Sequence, residues 1–231
     1  MVMNVIKDSL LKLVLLLSVV FLVSCEEYLP YDISKIPSYN GYEYVDLGLP
    51  SGLKWATCNV GASAPEEYGG YYAWGETEEK NNNSWDTYKW GNYYDYSLTK
   101  YCTENVYGIF DNKTVLDPED DVAHVKWGGS WRMPTATEQV ELGEECNWEW
   151  TTLNDVNGYK VTGPNGNSIF LPAAGYCIGT GIYYTGSDGH YWSSSLSFSS
   201  ESAYYARFYG DVYKFNYSSR FYGYSVRPVS K

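Results

Sequence analysis

His190 is one of two histidines in the chain. It follows Asp188-Gly189 and precedes Ser193 and Ser194, the side-chain types from which a serine nucleophile and its base could be built. Such catalysis needs an oriented base and an oxyanion hole, and neighbouring positions in sequence supply neither. A loop histidine is the simpler reading. Asp117, Glu119, Asp120 and Asp121 form the densest acidic cluster and could gather oxygens around calcium. Helix capping explains them more economically: Asp117 as cap, Pro118 at the first helical position, Glu119 and Asp120 at the positive end of the dipole. Cys58, Cys102, Cys146 and Cys177 show no C-x-x-C spacing, so zinc and dithiol redox chemistry are poor fits. One or two disulfides, or buried free thiols, both stay open.

The strongest signal is composition. From Tyr191 to Val229 the chain is crowded with tyrosine and serine and nearly free of Lys, Glu and Leu. Tyrosine offers a large rigid surface with a polar tip, and serine and asparagine offer adaptable hydrogen bonds; together they make a recognition surface. In Ala203–Tyr209 strand alternation turns Ala206, Phe208 and Tyr204 inward and Tyr205, Arg207 and Tyr209 the other way. Tyr213, Phe215 and Tyr217 share a face, as core or as an exposed strip. The candidate ligand contacts are Tyr183, Tyr184, Asp188, Tyr205, Tyr209, Tyr213, Tyr217 and Tyr222. No cofactor, metal ligand or catalytic residue is assigned.

Elements to position these residues are readable in order. Lys7 and Lys12 precede an apolar run, Leu13–Val23, too short to span a bilayer comfortably and suited to a signal peptide over residues 1–24. Leu22-Val23-Ser24-Cys25 looks like a bacterial lipobox, which implies cleavage before Cys25 and acylation of that residue. Several acyl chains on one residue anchor stably. Residues 25–40, with Pro30 and Pro37, read as a tether, and residues 41–231 as one domain. Tyr42–Leu49 and Leu53–Cys58 read as a hairpin around Pro50-Ser51-Gly52. Gly69–Trp74 reads as a short aromatic strand and Glu76–Val115 as a long surface excursion. Thr135 with Glu138 forms a capping box for a helix ending near Cys146. Asn165-Gly166 joins Gly158–Gly163 to Asn167–Pro172. The formal net charge is -12 with no basic run, which argues against nucleic acid as a partner. The fold class is α+β: two short helices, antiparallel strands and long irregular loops.

Three segments carry a resemblance: Trp127-Gly128-Gly129-Ser130-Trp131-Arg132-Met133-Pro134-Thr135, Tyr191-Trp192-Ser193-Ser194, and Arg220 with Gly223-Tyr224-Ser225-Val226-Arg227-Pro228-Val229. With Val45–Ala56 they resemble the Fibrobacter succinogenes major paralogous domain family, found in Bacteroidetes surface lipoproteins. That family is similar to formylglycine-generating-enzyme-like domains and so to the C-type lectin-like fold. The resemblance implies paired terminal strands, a loop-rich ligand face, and Trp55, Trp131 and Trp192 as core anchors. Arg132 and Arg227 would hold carbonyls or carboxylates, and Gly223 would supply a tight turn. No cysteine follows Cys177, which argues against oxidase activity of the formylglycine type. Gly163-Pro164-Asn165 and Trp192-Ser193-Ser194 lack the acids of a lectin calcium site. The composition is also similar to variable segments of retroelement-diversified proteins with this fold. Glu26-Glu27 resembles the acidic signal that sends such lipoproteins to the cell surface. The expectation is a non-enzymatic lipoprotein of the outer membrane, lipid-anchored and facing the exterior, that binds a glycan or protein. The alternatives are a structural module of a surface or fimbria-like assembly and a degenerate enzyme.

Overall fold

Asn40 and Gly41 both take positive φ, 52° and 85°, which lets a two-residue turn fold the chain sharply back on itself. Ser38–Tyr39 (β1) therefore pairs antiparallel with Tyr42–Asp46 (β2). Next to β2 lies Lys54–Ala56 (β3), with Val45 opposite Trp55. Val229–Ser230 (β12) pairs with the other edge of β3. The sheet order β1-β2-β3-β12 thus brings both ends of the domain together. The computed structural model describes residues 37–91, 97–210 and 212–231. The signal-peptide expectation for 1–24, the acylation at Cys25 and most of the tether lie outside the described residues. Residues 38–40 do not behave as tether: they belong to the first sheet, and the Trp131 indole donates to the Tyr39 carbonyl at 3.0 Å.

Among the described residues there are two α-helices, Val122–Trp127 (α1) and Ala136–Glu145 (α2). The α2 start follows the sequence closely. Thr135 Oγ1 accepts from the Glu138 amide while Glu138 accepts from the Thr135 amide, closing the capping box. Glu138 also takes both arms of the Arg132 guanidinium, at 2.7 and 2.6 Å, so one carboxylate fixes the motif segment to the helix. The start of α1 differs from expectation. Pro118–Asp120 is a 3₁₀ turn, and the helix cap is Asp121, which accepts from the Ala123 and His124 amides. Asp117 caps nothing by its side chain and forms ion pairs instead.

The middle of the chain builds a three-stranded sheet, β4 (Asn147–Leu153), β5 (Val156–Thr162) and β6 (Ser168–Pro172). The β5–β6 hairpin was expected, but not its turn: Thr162 pairs with Ser168 across residues 163–167, the Gly166 amide donates to the Gly163 carbonyl, and only Gly166, not Asn165, takes positive φ; β4 was not expected. Its turn is Asn154-Asp155, both at positive φ, conformations these two residues tolerate better than most. Gly69–Trp74 contributes one bridge, Tyr72 to Tyr224, and no longer ladder. The 76–115 excursion is not purely superficial: Tyr88, Leu98, Tyr101 and Cys102 are buried. Arg220 explains this. Fully buried, it donates to Tyr88 Oη and to the carbonyls of Lys100, Tyr101 and Ser200, and its guanidinium lies 4.9 Å from the Trp74 ring.

Arg227 does the same for the first sheet. It donates to the Ala56, Thr57 and Phe170 carbonyls and to Asn59 Oδ1. A buried guanidinium is tolerated only when its donors are satisfied. Around these two posts lie two apolar clusters, one on Trp74, Trp131 and Trp192, the other on Leu47, Trp55 and Phe208. Gly223 is not a turn residue. It packs where a Cβ would sit 2.9 Å from Cys177 Cβ, opposite Cys177 in a backbone bridge. Cys58, Cys102, Cys146 and Cys177 are free thiols; the buried-thiol alternative describes Cys102 and Cys177, whereas Cys58 and Cys146 are only partly buried.

Candidate binding cleft

The C-terminal region folds as Asp188–Leu196 (β9), Ser202–Tyr209 (β10) and Val212–Ser219 (β11), antiparallel in the order β11-β10-β9. Register decides which side chains meet. Across β9 and β10, Asp188 faces Tyr209, His190 faces Arg207 and Trp192 faces Tyr205. Successive residues point to opposite faces. Tyr191, Ala206 and Phe208 therefore enter the core cluster around Leu47 and Trp55. Asp188, His190, Tyr205, Arg207 and Tyr209 line the other face.

That face is the floor of an open cleft of about 450 Å³. One wall is the hairpin of β7 (Tyr176–Ile178) and β8 (Gly181–Tyr183), which contributes Tyr176 and, just past its end, Tyr184. The other wall is Ser218, Tyr222 and Tyr224. Tyr176 is the hub of the rings, 5.8 Å from Tyr184, 5.7 Å from Tyr222 and 4.9 Å from His190, centroid to centroid. Tyr205 stacks on His190 with 17° between the ring planes. Arg207 donates to Asp188 at 2.7 Å and its guanidinium lies 4.4 Å from the centre of the Tyr209 ring. Ser187 donates to the other oxygen of Asp188.

Burial sets the charge of the cleft. His190 is 3% exposed and is surrounded by rings. Desolvation, and then the nearby Arg207 guanidinium, lower its pKa to about 4, against weaker opposition from Asp188 and the Gly175 backbone. The imidazole is neutral at physiological pH. Its Nδ1, like Arg207 Nε, is buried without a hydrogen-bond partner among the described residues. Desolvation also raises the Tyr176, Tyr205 and Tyr224 phenols above the ordinary value, so all three keep their protons.

Of the eight contacts expected from sequence, Tyr184, Asp188, Tyr205, Tyr209 and Tyr222 line this cleft. Tyr205 is floor rather than exposed contact, at 6% exposure. Tyr183 sits beside the cleft, exposed, its ring 5.9 Å from Tyr176. Tyr213 is turned away from it: its ring packs on Trp148 and its hydroxyl donates to the Gln139 carbonyl of α2. Tyr217 lies on that same reverse face beyond the helix, exposed and edge-on to Phe198. The strip Tyr213-Phe215-Tyr217 is therefore core at one end and surface at the other, because α2 covers only part of β11. Tyr204 likewise stacks on Phe215 at that open end and is only partly buried.

Sequence reasoning missed Tyr176, Ser218 and Tyr224, and placed His190 in a loop although it is buried in β9. The signal was present for His190 and Arg207. Once Tyr205, Arg207 and Tyr209 are set on one face, an antiparallel neighbour must present alternate residues to it. Ser193, weighed as a nucleophile, donates to the Tyr204 carbonyl at 2.8 Å, whereas the His190 ring contacts Tyr176, Tyr205 and Tyr224.

The acidic cluster behaves differently from the cleft. Oxygens of Asp117, Glu119 and Asp120 lie within 4.8 Å of one another, but Lys100 Nζ stands among them at 2.7, 3.3 and 2.6 Å. Lys113 and Lys89 add contacts to Asp117 and Asp120. Hydrogen bonds from Lys100 and Lys113 hold the Asp117 carboxyl below its usual range. The ammonium occupies the place a cation would need. A second void of about 10 Å³ lies within the core beside Trp55, Gln139 and Phe208, room for about one water-sized sphere.

No family model, curated protein or solved structure matches the chain.

Proposed function

We propose that the chain is a non-enzymatic, surface-anchored lipoprotein that binds a glycan or protein ligand through the tyrosine cleft of its C-terminal sheet. The observation that carries this is the cleft itself. Its volume of about 450 Å³ falls inside the range of about 300–1,000 Å³ typical of ligand sites. Its walls are rigid rings with polar tips, and its few charged groups converge, which is the anatomy of a binding pocket. A C-type lectin-like reading of the fold, and membership of the Fibrobacter succinogenes major paralogous family, find support in the meeting of the terminal strands on β3 and in the motif arginines Arg132, Arg220 and Arg227 at structural posts. The Cys25 lipid anchor and an exterior, outer-membrane location rest on the lipobox-like segment.

The test is a binding screen of the full chain in detergent against glycans and surface proteins, repeated with Tyr184→Ala plus Tyr222→Ala. Binding that is lost in the double variant supports the site. Binding that the variant leaves unchanged refutes it.

A second reading, a structural module of a surface assembly, is favoured by the edge of β11, unpaired among the described residues, and by the exposed Phe198 and Tyr217 beside it. Exposed edges and apolar strips invite pairing. Native mass spectrometry separates the readings: a stable oligomer dispersed by Tyr217→Glu supports assembly, and a monomer rules it out.

A further inference from the structure

We infer that the ligand of the cleft is an uncharged, polyhydroxylated ring, a neutral saccharide unit, gripped without a metal ion by tyrosine faces and by the Asp188–Arg207 pair. This inference rests on the binding role proposed above and narrows it to one chemistry.

Charge decides first. Among the described residues, Asp188 and Arg207 are the only formal charges lining the cleft, and they are bonded to each other at 2.7 Å. His190 is neutral and the buried phenols are protonated. An anionic ligand would have to compete with Asp188 for Arg207, in a chain of net charge -12. A cationic ligand would face the Arg207 guanidinium directly. Removing either partner from its ion pair leaves the other charge poorly compensated in a half-buried site. A neutral ligand disturbs neither.

Shape and hydrogen bonding decide next. A purely apolar ligand would bury phenol tips, the imidazole and the ion pair without replacing their water. A sugar has both surfaces needed. Its C–H face stacks on a flat ring, and its hydroxyls both donate and accept. Tyr184 and Tyr209 offer accessible rings at the rim. The Tyr205 and Tyr224 hydroxyls, hydrogen-bonded to each other and to Ser218, make a neutral polar floor. The carboxylate of Asp188 accepts and the guanidinium of Arg207 donates along one edge, a spacing that suits adjacent hydroxyls. His190 adds a neutral ring whose Nδ1 has no hydrogen-bond partner among the described residues.

Calcium bridging needs several clustered oxygen ligands of the carboxylate or carbonyl kind. Among the described residues the cleft has one carboxylate, Asp188, already shared with Arg207 and Ser187. Recognition is therefore independent of calcium.

The experiment is an array of oligosaccharides ending in neutral hexoses or N-acetylhexosamines, with their sialylated and sulfated counterparts. The full chain in detergent is applied at neutral pH with and without excess EDTA. The expected result is binding to at least one neutral glycan, unchanged by EDTA and not improved by acidic groups. Titration with that glycan weakens about tenfold in Tyr184→Ala or Tyr209→Ala, the scale of one lost aromatic contact. It weakens further in Asp188→Asn. Tyr184 is 59% exposed, so its loss leaves the fold intact and a null effect is interpretable. Failure to bind any neutral glycan, preference for acidic ones, or loss of binding in EDTA overturns the inference. A protein ligand lost in Tyr184→Ala would overturn the saccharide while upholding the cleft. A glycan whose binding ignores every cleft variant would overturn the cleft reading itself.

Discussion

Gly143 of α2 and Tyr213 of β11 share one volume. A Cβ on Gly143 would lie 2.2 Å from Cε1 of the Tyr213 ring, and the same ring is tethered through its hydroxyl to the Gln139 carbonyl at 2.7 Å. Helix and sheet dock through this pair, and the docking explains why Tyr213 serves the core and leaves the cleft to Tyr205, Arg207 and Tyr209.

Gly143→Ala should therefore destabilise the domain. Helix propensity alone favours alanine by about 1 kcal/mol, but forcing the tyrosine aside costs about 1–3 kcal/mol. We expect a net loss on the order of 1 kcal/mol in urea titrations. In a Tyr213→Ala background the same substitution should become neutral or stabilising. A raised Tm for Gly143→Ala alone would mean that the ring is not pinned.

Arg227→Met should be among the most damaging single changes. It removes the donors held by Ala56, Thr57, Phe170 and Asn59 and leaves those acceptors buried and unpaired. Such losses run to about 3–5 kcal/mol. Arg227→Lys should recover only part, because an ammonium cannot reproduce the planar fork. Equilibrium unfolding that shifts by less than 1 kcal/mol (~1, the scale of one ordinary hydrogen bond) would contradict the role of this residue as a post between sheets.

His190 predicts a pH dependence with a definite sign. Its folded pKa, about 4, lies below the ordinary value of 6.5. Between these pH values the unfolded chain binds more protons than the folded one, so stability rises with pH across the window. The contribution is fully present above pH 6.5 and is lost as pH falls toward 4, by up to about 3 kcal/mol. Unfolding free energies across that range should show the slope in the native sequence and lose it in His190→Gln. Equal slopes in the two proteins would show that the imidazole is not held neutral.

The parts of this structure that were legible in the sequence are those set by short-range rules. The Thr135–Glu138 box fixed the start of α2, Asn165-Gly166 marked the β5–β6 hairpin, and period-two alternation divided Tyr205, Arg207 and Tyr209 from Ala206 and Phe208. What escaped was set by distant partners. Asp121 rather than Asp117 caps α1 because Asp121 also accepts from the Met133 amide, a contact with a segment beyond the helix. The 76–115 excursion is drawn inward by Arg220, more than a hundred residues from the carbonyls of Lys100 and Tyr101 that it holds. Tyr176 and Tyr224 are brought to the cleft by long-range bridges, Cys177 to Gly223, Tyr72 to Tyr224 and Gly175 to Gly189. Tyrosine density announced a recognition surface, but which tyrosines formed it depended on where α2 lay across β11.

Hydroxyl-radical footprinting of the tyrosines, with and without a saturating neutral oligosaccharide, tests the central claim most directly. The expected result is protection of Tyr184, Tyr209 and Tyr222, with Tyr217 and Tyr39 oxidised at the same rate in both states. Protection confined to Tyr217 and Phe198, or no protection anywhere despite bound sugar, would contradict it.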